Sequence, residues 1–354
     1  MTDLQNRVAE EQFGRLPDGD IVTAVTLANV RGMRVRILTY GASIQSVMVR
    51  DRAGEFSDVA LGHATLAEYL DHPQFVGATV GRVANRLAGG RFILDGCIHT
   101  VPPNDGRNAL HGGPVGFDKR NWAIIDTTSE PIPSVTLQLI SADGDQGFPG
   151  ELTVTARYEM ATTDRATVVN LSNHAYWNLA GEGSASGVMD HELTIFADQY
   201  LPTDDSAIPT GEMRPVDGTA FDFRTATTIG SRIRDADEPQ LAIGRGYDHN
   251  WVAGEAISAE VRLLARVCHR PSGRAMELRS NQPGLQFYSG NFLDGRSVGK
   301  SRHFHRMGDA FVLEPQMFPD TPNQPAFGSL RLEPGETYRN IIQFRFLTTE
   351  GALT

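Results

Sequence analysis

Residues Met33–Leu38 read MRVRIL, and Val35 and Ile37 alternate there with Arg34 and Arg36. A period of two sends successive side chains to opposite faces of a strand, so this stretch is expected half-buried in a sheet. The same pattern extends outward from it. Ile21–Leu27 reads IVTAVTL, and SIQSVMV follows from Ser43. Further along come SVTLQLI from Ser134, ELTVTARYEM from Glu151, HELTIFA from His191, VRLLARV from Val261 and NIIQFRF from Asn340. Each run is short, rich in β-branched or aromatic residues, and bounded by Gly, Pro, Asn or Asp. With 36 Gly and 19 Pro the chain has turn residues enough to connect many such strands.

Helical signals are few. Ala64–Leu70 (ATLAEYL) can form a short helix with Thr65 as N-cap and Pro73 as a stop, and a second is expected near Ser231–Leu241. Strand and helix do not alternate, which argues against a doubly wound α/β fold. No tandem repeat and no linker-like composition divides the chain. The expectation is all-β: an N-terminal arm over residues 1–20, irregular, and one large antiparallel β-sandwich domain over residues 21–354.

A net charge of −11 disfavours nucleic acid, whose binding rests on neutralising phosphates, and an anionic membrane surface. The start, MTDLQNRVAEEQFGRLPDGD, has no apolar core of a leader, and no run of about 18 apolar residues is present. A cytoplasmic location is the expectation by default. Cys97 and Cys268 lack metal-like spacing and read as reduced thiols, so no metal is expected.

Polar clusters interrupt the alternation. GRVANRLAGGR (81–91) sets three arginines beside Asn85; it is either a solvated turn or a donor fork for hydroxyls. NDGRNALHGGPVGF (104–117) places His111 before two glycines that permit close backbone approach. NLSNHAYWNL (170–179) puts His174 beside Tyr176 and Trp177, which suits either a core histidine or a sugar site, where rings stack on C–H faces. GYDHNWV (246–252) offers Asp248 as a turn residue or a substrate-facing carboxylate. NQPGLQFYSGN (281–291) sets Gln286 in an apolar strand. In FVLEPQMFPDTPN (311–323), Glu314 ends an apparently buried run. A carboxylate there is costly unless paired in an ion pair or used in catalysis, and burial raises its pKa toward a general base's range. Nucleophile elbow, P-loop, HExxH and dinucleotide fingerprints are all missing from the sequence.

Taken in order, GRVANR, NALHGG, NHAYWNL, GTAFDFR, YDHN, PGLQFYSGN and LEPQMFPDTPN resemble the motifs of the aldose 1-epimerase (galactose mutarotase) family. The resemblance implies a galactose mutarotase-like supersandwich with an open cleft on one sheet, and a free aldose as partner. It implies no cofactor. By position it makes Glu314 the general base and His174 the general acid. Asn85, Arg86, His111, Asp248 and Gln286 fall where the family binds sugar hydroxyls. Ala109, Trp177, Ser289 and Ala220 depart from the family's commoner residues, and Trp177, larger than the usual Phe, is expected to reshape the pocket.

Anomerisation requires the C1 hydroxyl to lose a proton while the ring oxygen gains one. The expected starting state is therefore an ionised Glu314 and a protonated His174, with a bell-shaped pH profile. A non-catalytic carbohydrate-binding protein on the same fold is one alternative, and a structural β protein another. An epimerase of a phosphorylated hexose is a third, using Arg82, Arg86 or Arg91 for the phosphate.

Overall fold

The computed structural model describes residues 7–29, 32–130, 132–159, 167–169, 172–330 and 339–348. Residues 1–6 of the expected arm, and Asn170 and Leu171 of the His174 motif, lie outside these. Three antiparallel sheets dominate. A five-stranded sheet runs in chain order through Val8–Arg15, Ile21–Ala28, Arg34–Leu38, Ser43–Arg50 and Phe56–Asp58. The MRVRIL stretch is its middle strand, with Val35 and Ile37 buried and Arg34 and Arg36 turned outward.

A nine-stranded sheet carries Ser134–Ser141, Leu152–Glu159, Ile342–Thr348, Arg274–Ser280 and Arg262–His269 among its central strands. A six-stranded sheet is ordered Tyr176–Trp177, Phe311–Gln316, Gly284–Tyr288, Asp248–Val252, Gln199–Leu201 and Arg214–Pro215. The main core joins all three sheets. Val25 and Ile37 come from the first, Leu264 and Phe344 from the second, and Phe287 and Leu313 from the third. Burying side chains of this size is worth about 1.5–3 kcal/mol each relative to exposure. The chain is therefore a β-sandwich, as the period of two predicts.

Thr65 caps Leu66–Asp71 reciprocally with Glu68, as expected of this segment. The second helix is shorter and later than expected, Pro239–Gly244, because Pro239 is fitted to the first helical turn. The N-terminal expectation needs a larger correction. Val8–Arg15 is not irregular but an edge strand antiparallel to Ile21–Ala28. Its middle residues are exposed on both faces, so no apolar alternation marks it, and its glutamates suit an edge open to solvent. Cys97 is exposed and Cys268 buried, and the two do not form a disulfide.

Candidate active site

Strand register builds one wall of the site. Glu314 stands opposite Gln286, and Gln286 opposite Asn250. Two residues along the same face, Asp248 stands opposite Tyr288 and Val312 opposite both Tyr288 and Tyr176. The residues between them, Leu313, Phe287 and His249, turn to the core. Asp248 accepts from the Gln286 amide at 2.8 Å. His249, its neighbour, packs on Phe221 and reaches Gln240 at 3.2 Å, and burial drives its pKa down to about 3. One strand thus yields a site carboxylate and a structural histidine from adjacent positions.

The second wall is two interlocked loops. Arg86–Leu87 pairs with Ala109–Leu110, His111 N–H donates to the Asn85 carbonyl at 3.0 Å, and Asn85 N–H donates to His111 Nδ1 at 3.2 Å. With Nδ1 accepting, neutral His111 carries its proton on Nε2 and presents it as a donor. Burial, with His174, Arg86 and Lys119 nearby, holds His111 neutral well below its ordinary pKa. Gly112 has φ +91°, and a Cβ there would sit 1.9 Å from the Gly81 carbonyl oxygen. The close approach this glycine permits is to the neighbouring loop. Arg86 donates to Asp105 at 2.6 Å, and its charge faces both Asp248 and Glu314. The DTPN loop braces it, since Asp320 N–H donates to the Arg86 carbonyl at 3.1 Å.

His174 closes the site from a third segment, tied by its N–H to Ala78 and by its carbonyl to Gly77. Its Nε2 is 3.7 Å from Glu314 Oε1, and both residues are almost wholly buried. Among the described residues, His174 Nδ1 and Glu314 Oε2 have no hydrogen-bond partner. Burial raises the Glu314 pKa to about 8, with Asp248 adding to the rise and Arg86 opposing it. Burial lowers His174 to about 4. Burial thus works against the charged form of each partner. The expected starting state, an ionised Glu314 with a protonated His174, therefore depends on the attraction between the two charges across this short gap.

All seven expected residues converge: Asn85, Arg86, His111, His174, Asp248, Gln286 and Glu314. Two further rings, Tyr288 and Phe75, join Tyr176, which the sequence already sets beside His174. Tyr176 lies 5.0 Å from the His174 ring, Tyr288 lies 6.4 Å from it, and Phe75 lies 4.7 Å from the His111 ring, centroid to centroid. Strand alternation from Glu314 and Gln286 could have found Tyr288; nothing in the local sequence marks Phe75. Trp177 points the opposite way from Tyr176. It is fully buried against Phe344 and Phe346 of the nine-stranded sheet, so the indole fills core and does not shape the pocket. GTAFDFR is likewise mainly core, with Phe221 and Phe223 packed among Tyr247, Trp251 and Phe287.

Arg82 spends its guanidinium on Ser141, Ala142, Pro149 and Gly150, and Arg91 is on an exposed hairpin. Of the three arginines offered for a phosphate, only Arg86 faces the cleft, and carboxylates already surround it. His111, His174 and Glu314 present ligand atoms within 4.8 Å of one another, a spacing a cation could use. The Asn85 N–H on His111 Nδ1 works against this, because a metal on Nε2 would need that ring to lose its remaining proton.

The family model for aldose 1-epimerase matches residues 23–345. Galactose mutarotase of Rattus norvegicus is 42% identical over 349 residues, covering 96% of this chain and 98% of the relative. Aldose 1-epimerase of Escherichia coli K12 is 39% identical over 345 residues, covering 94% and 97%. The crystal structure of an aldose epimerase homologue from C. elegans superposes with a TM-score of 0.83 at 29% identity, covering 92% of this chain and 99% of that one.

Proposed function

The chain belongs to the aldose 1-epimerase family and interconverts the α and β anomers of a free aldose, and we propose that Glu314 and His174 carry the two proton transfers. The observation that supports this is the 3.7 Å approach of a buried imidazole to a buried carboxylate, among groups suited to hydroxyls.

Ring opening takes the C1 hydroxyl proton onto Glu314 while His174 protonates the ring oxygen. The C1–O5 bond breaks and C1 becomes an aldehyde. Rotation about C1–C2 presents the other carbonyl face, and closure returns the protons: Glu314 to O1, and O5–H to His174. Ionic Glu314 and His174 complement the closed ring. Protonated Glu314 and neutral His174 complement the open aldehyde. Both arrangements contain one proton, so the cycle draws none from solvent. Each positioned transfer is typically worth about 10²- to 10⁴-fold.

Arg86, His111, Asp248 and Gln286 hold the sugar. Arg86 and His111 donate, Asp248 accepts, and Gln286 can do either. Asn85 acts through its backbone, by fixing the His111 tautomer. A neutral aldose suits a cleft whose facing arginine, Arg86, is already matched by carboxylates, which weighs against a phosphorylated hexose. Galactose, named for the mammalian relatives, is the first substrate to test. Polarimetry of freshly dissolved α-galactose tests the assignment: His174→Asn and Glu314→Gln should each lose most of the rate, and a near wild-type rate in either would remove that residue from its role.

A further inference from the structure

Phe75 occupies a place in the site that neither proton transfer explains. Its ring centroid is 4.7 Å from that of His111 and 6.0 Å from that of His174. Lys119 Nζ stands 5.6 Å from the ring centre. The residue is only half-buried, so part of it is left open. Its backbone lies at φ +59°, a region that bulky residues rarely adopt and that surrounding structure must enforce.

That enforcement is visible. The Phe75 carbonyl accepts from Ala78 N–H at 3.0 Å, and Ser297 Oγ donates to the Gln74 side chain at 3.2 Å. Gly77 packs so tightly on the Ile44 backbone that a Cβ would lie 2.0 Å from its carbonyl oxygen. A residue whose backbone is held this firmly, yet which is left partly open, is placed to touch something other than protein.

What it would touch follows from the chemistry. The acid His174 must reach the ring oxygen, and C5 is bonded to that oxygen. Tyr176 and Tyr288 flank His174 from the sheet, and Phe75 flanks it from the loop. We propose that Phe75 is a specificity-determining residue that packs against the C5 substituent and so favours aldohexoses, which carry a hydroxymethyl group there, over aldopentoses, which carry hydrogen. This rests on the reading of His174 as the acid.

The test compares D-galactose with L-arabinose, which has the same ring configuration without C6. Phe75→Ala should lower kcat/KM for galactose about 10-fold and leave arabinose within about 2-fold, since contact with one small group is worth about 10- to 200-fold in selectivity. Phe75→Leu, which keeps an apolar wall, should restore most of the preference. A general loosening of the fold would slow both sugars alike, so equal losses overturn the proposal, as does an unchanged ratio in both variants. Activity surviving in His174→Asn would instead defeat the acid–base reading beneath it.

Discussion

Glu314 and Gln286 face each other directly across two antiparallel strands, and Gln286 donates its amide to Asp248 at 2.8 Å. The base therefore sits in a row of polar side chains on one pleated face. Directly behind that row lies an apolar core.

Replacing the base should separate activity from stability. Glu314→Gln is expected to cut the mutarotation rate by about 10²- to 10⁴-fold, read by polarimetry. Its stability should move the other way at alkaline pH. The Glu314 pKa rises from 4.5 to about 8 on folding, so the stability it contributes is complete below 4.5 and is lost as pH climbs toward 8. The variant should thus melt above wild type at pH 8, with the gap closing toward pH 4.5. A variant less stable than wild type at pH 8 would contradict the burial of that charge.

The pH dependence of kcat/KM follows from the coupled pair. The one-proton form spans the interval between His174 at about 4 and Glu314 at about 8, so activity should plateau there and fall outside it. Asp248 pushes Glu314 upward, so Asp248→Asn should move the alkaline limb to lower pH as well as raising KM. An alkaline limb that stays in place while KM rises would show that Asp248 binds sugar without tuning the base.

Acid should weaken the fold through histidines outside the cleft. His249 falls from 6.5 to about 3 by burial alone. Between these values the unfolded chain binds a proton that the folded chain does not, so stability declines as pH drops below 6.5. From pH 6.5 to pH 5 this one residue accounts for roughly 2 kcal/mol. Urea unfolding of His249→Gln at pH 7 and pH 5 should show a smaller acid-induced loss than wild type. An equal loss would mean His249 takes up its proton without unfolding.

Trp177→Phe tests the correction made to the pocket. Because the indole packs on Phe344 and Phe346 with no partner for its N–H among the described residues, substitution should alter stability by about 1–3 kcal/mol in either direction. The ratio of kcat/KM between sugars should not change. A clear shift in that ratio would return Trp177 to the site.

Much of this was legible in the residues. Alternation in MRVRIL and its counterparts marks strands because one face of each is buried, and the ordered motifs name all seven residues that meet in the cleft. Val8–Arg15 escaped notice because an edge strand exposed on both faces has no pattern to read. Trp177 was misplaced because a sequence window sets it beside His174, whereas the pleat sends Tyr176 and Trp177 to opposite sides. Where the proton of the acid–base pair rests is not legible in the residues, because it depends on how dry both members are, and that is a property of the assembled site. Phe75 comes from a turn whose unusual backbone is imposed by distant contacts.

The contact between Gly112 and the Gly81 carbonyl bears on how such an enzyme can be altered. The two loops seated there cannot be exchanged one at a time. A transplanted His111 loop with any side chain at position 112 would push Asn85 and Arg86 out of register, and the imidazole would lose the partner that orients it. Variation in this lineage, or in a laboratory library, should therefore treat residues 81–86 and 109–113 as one inherited unit.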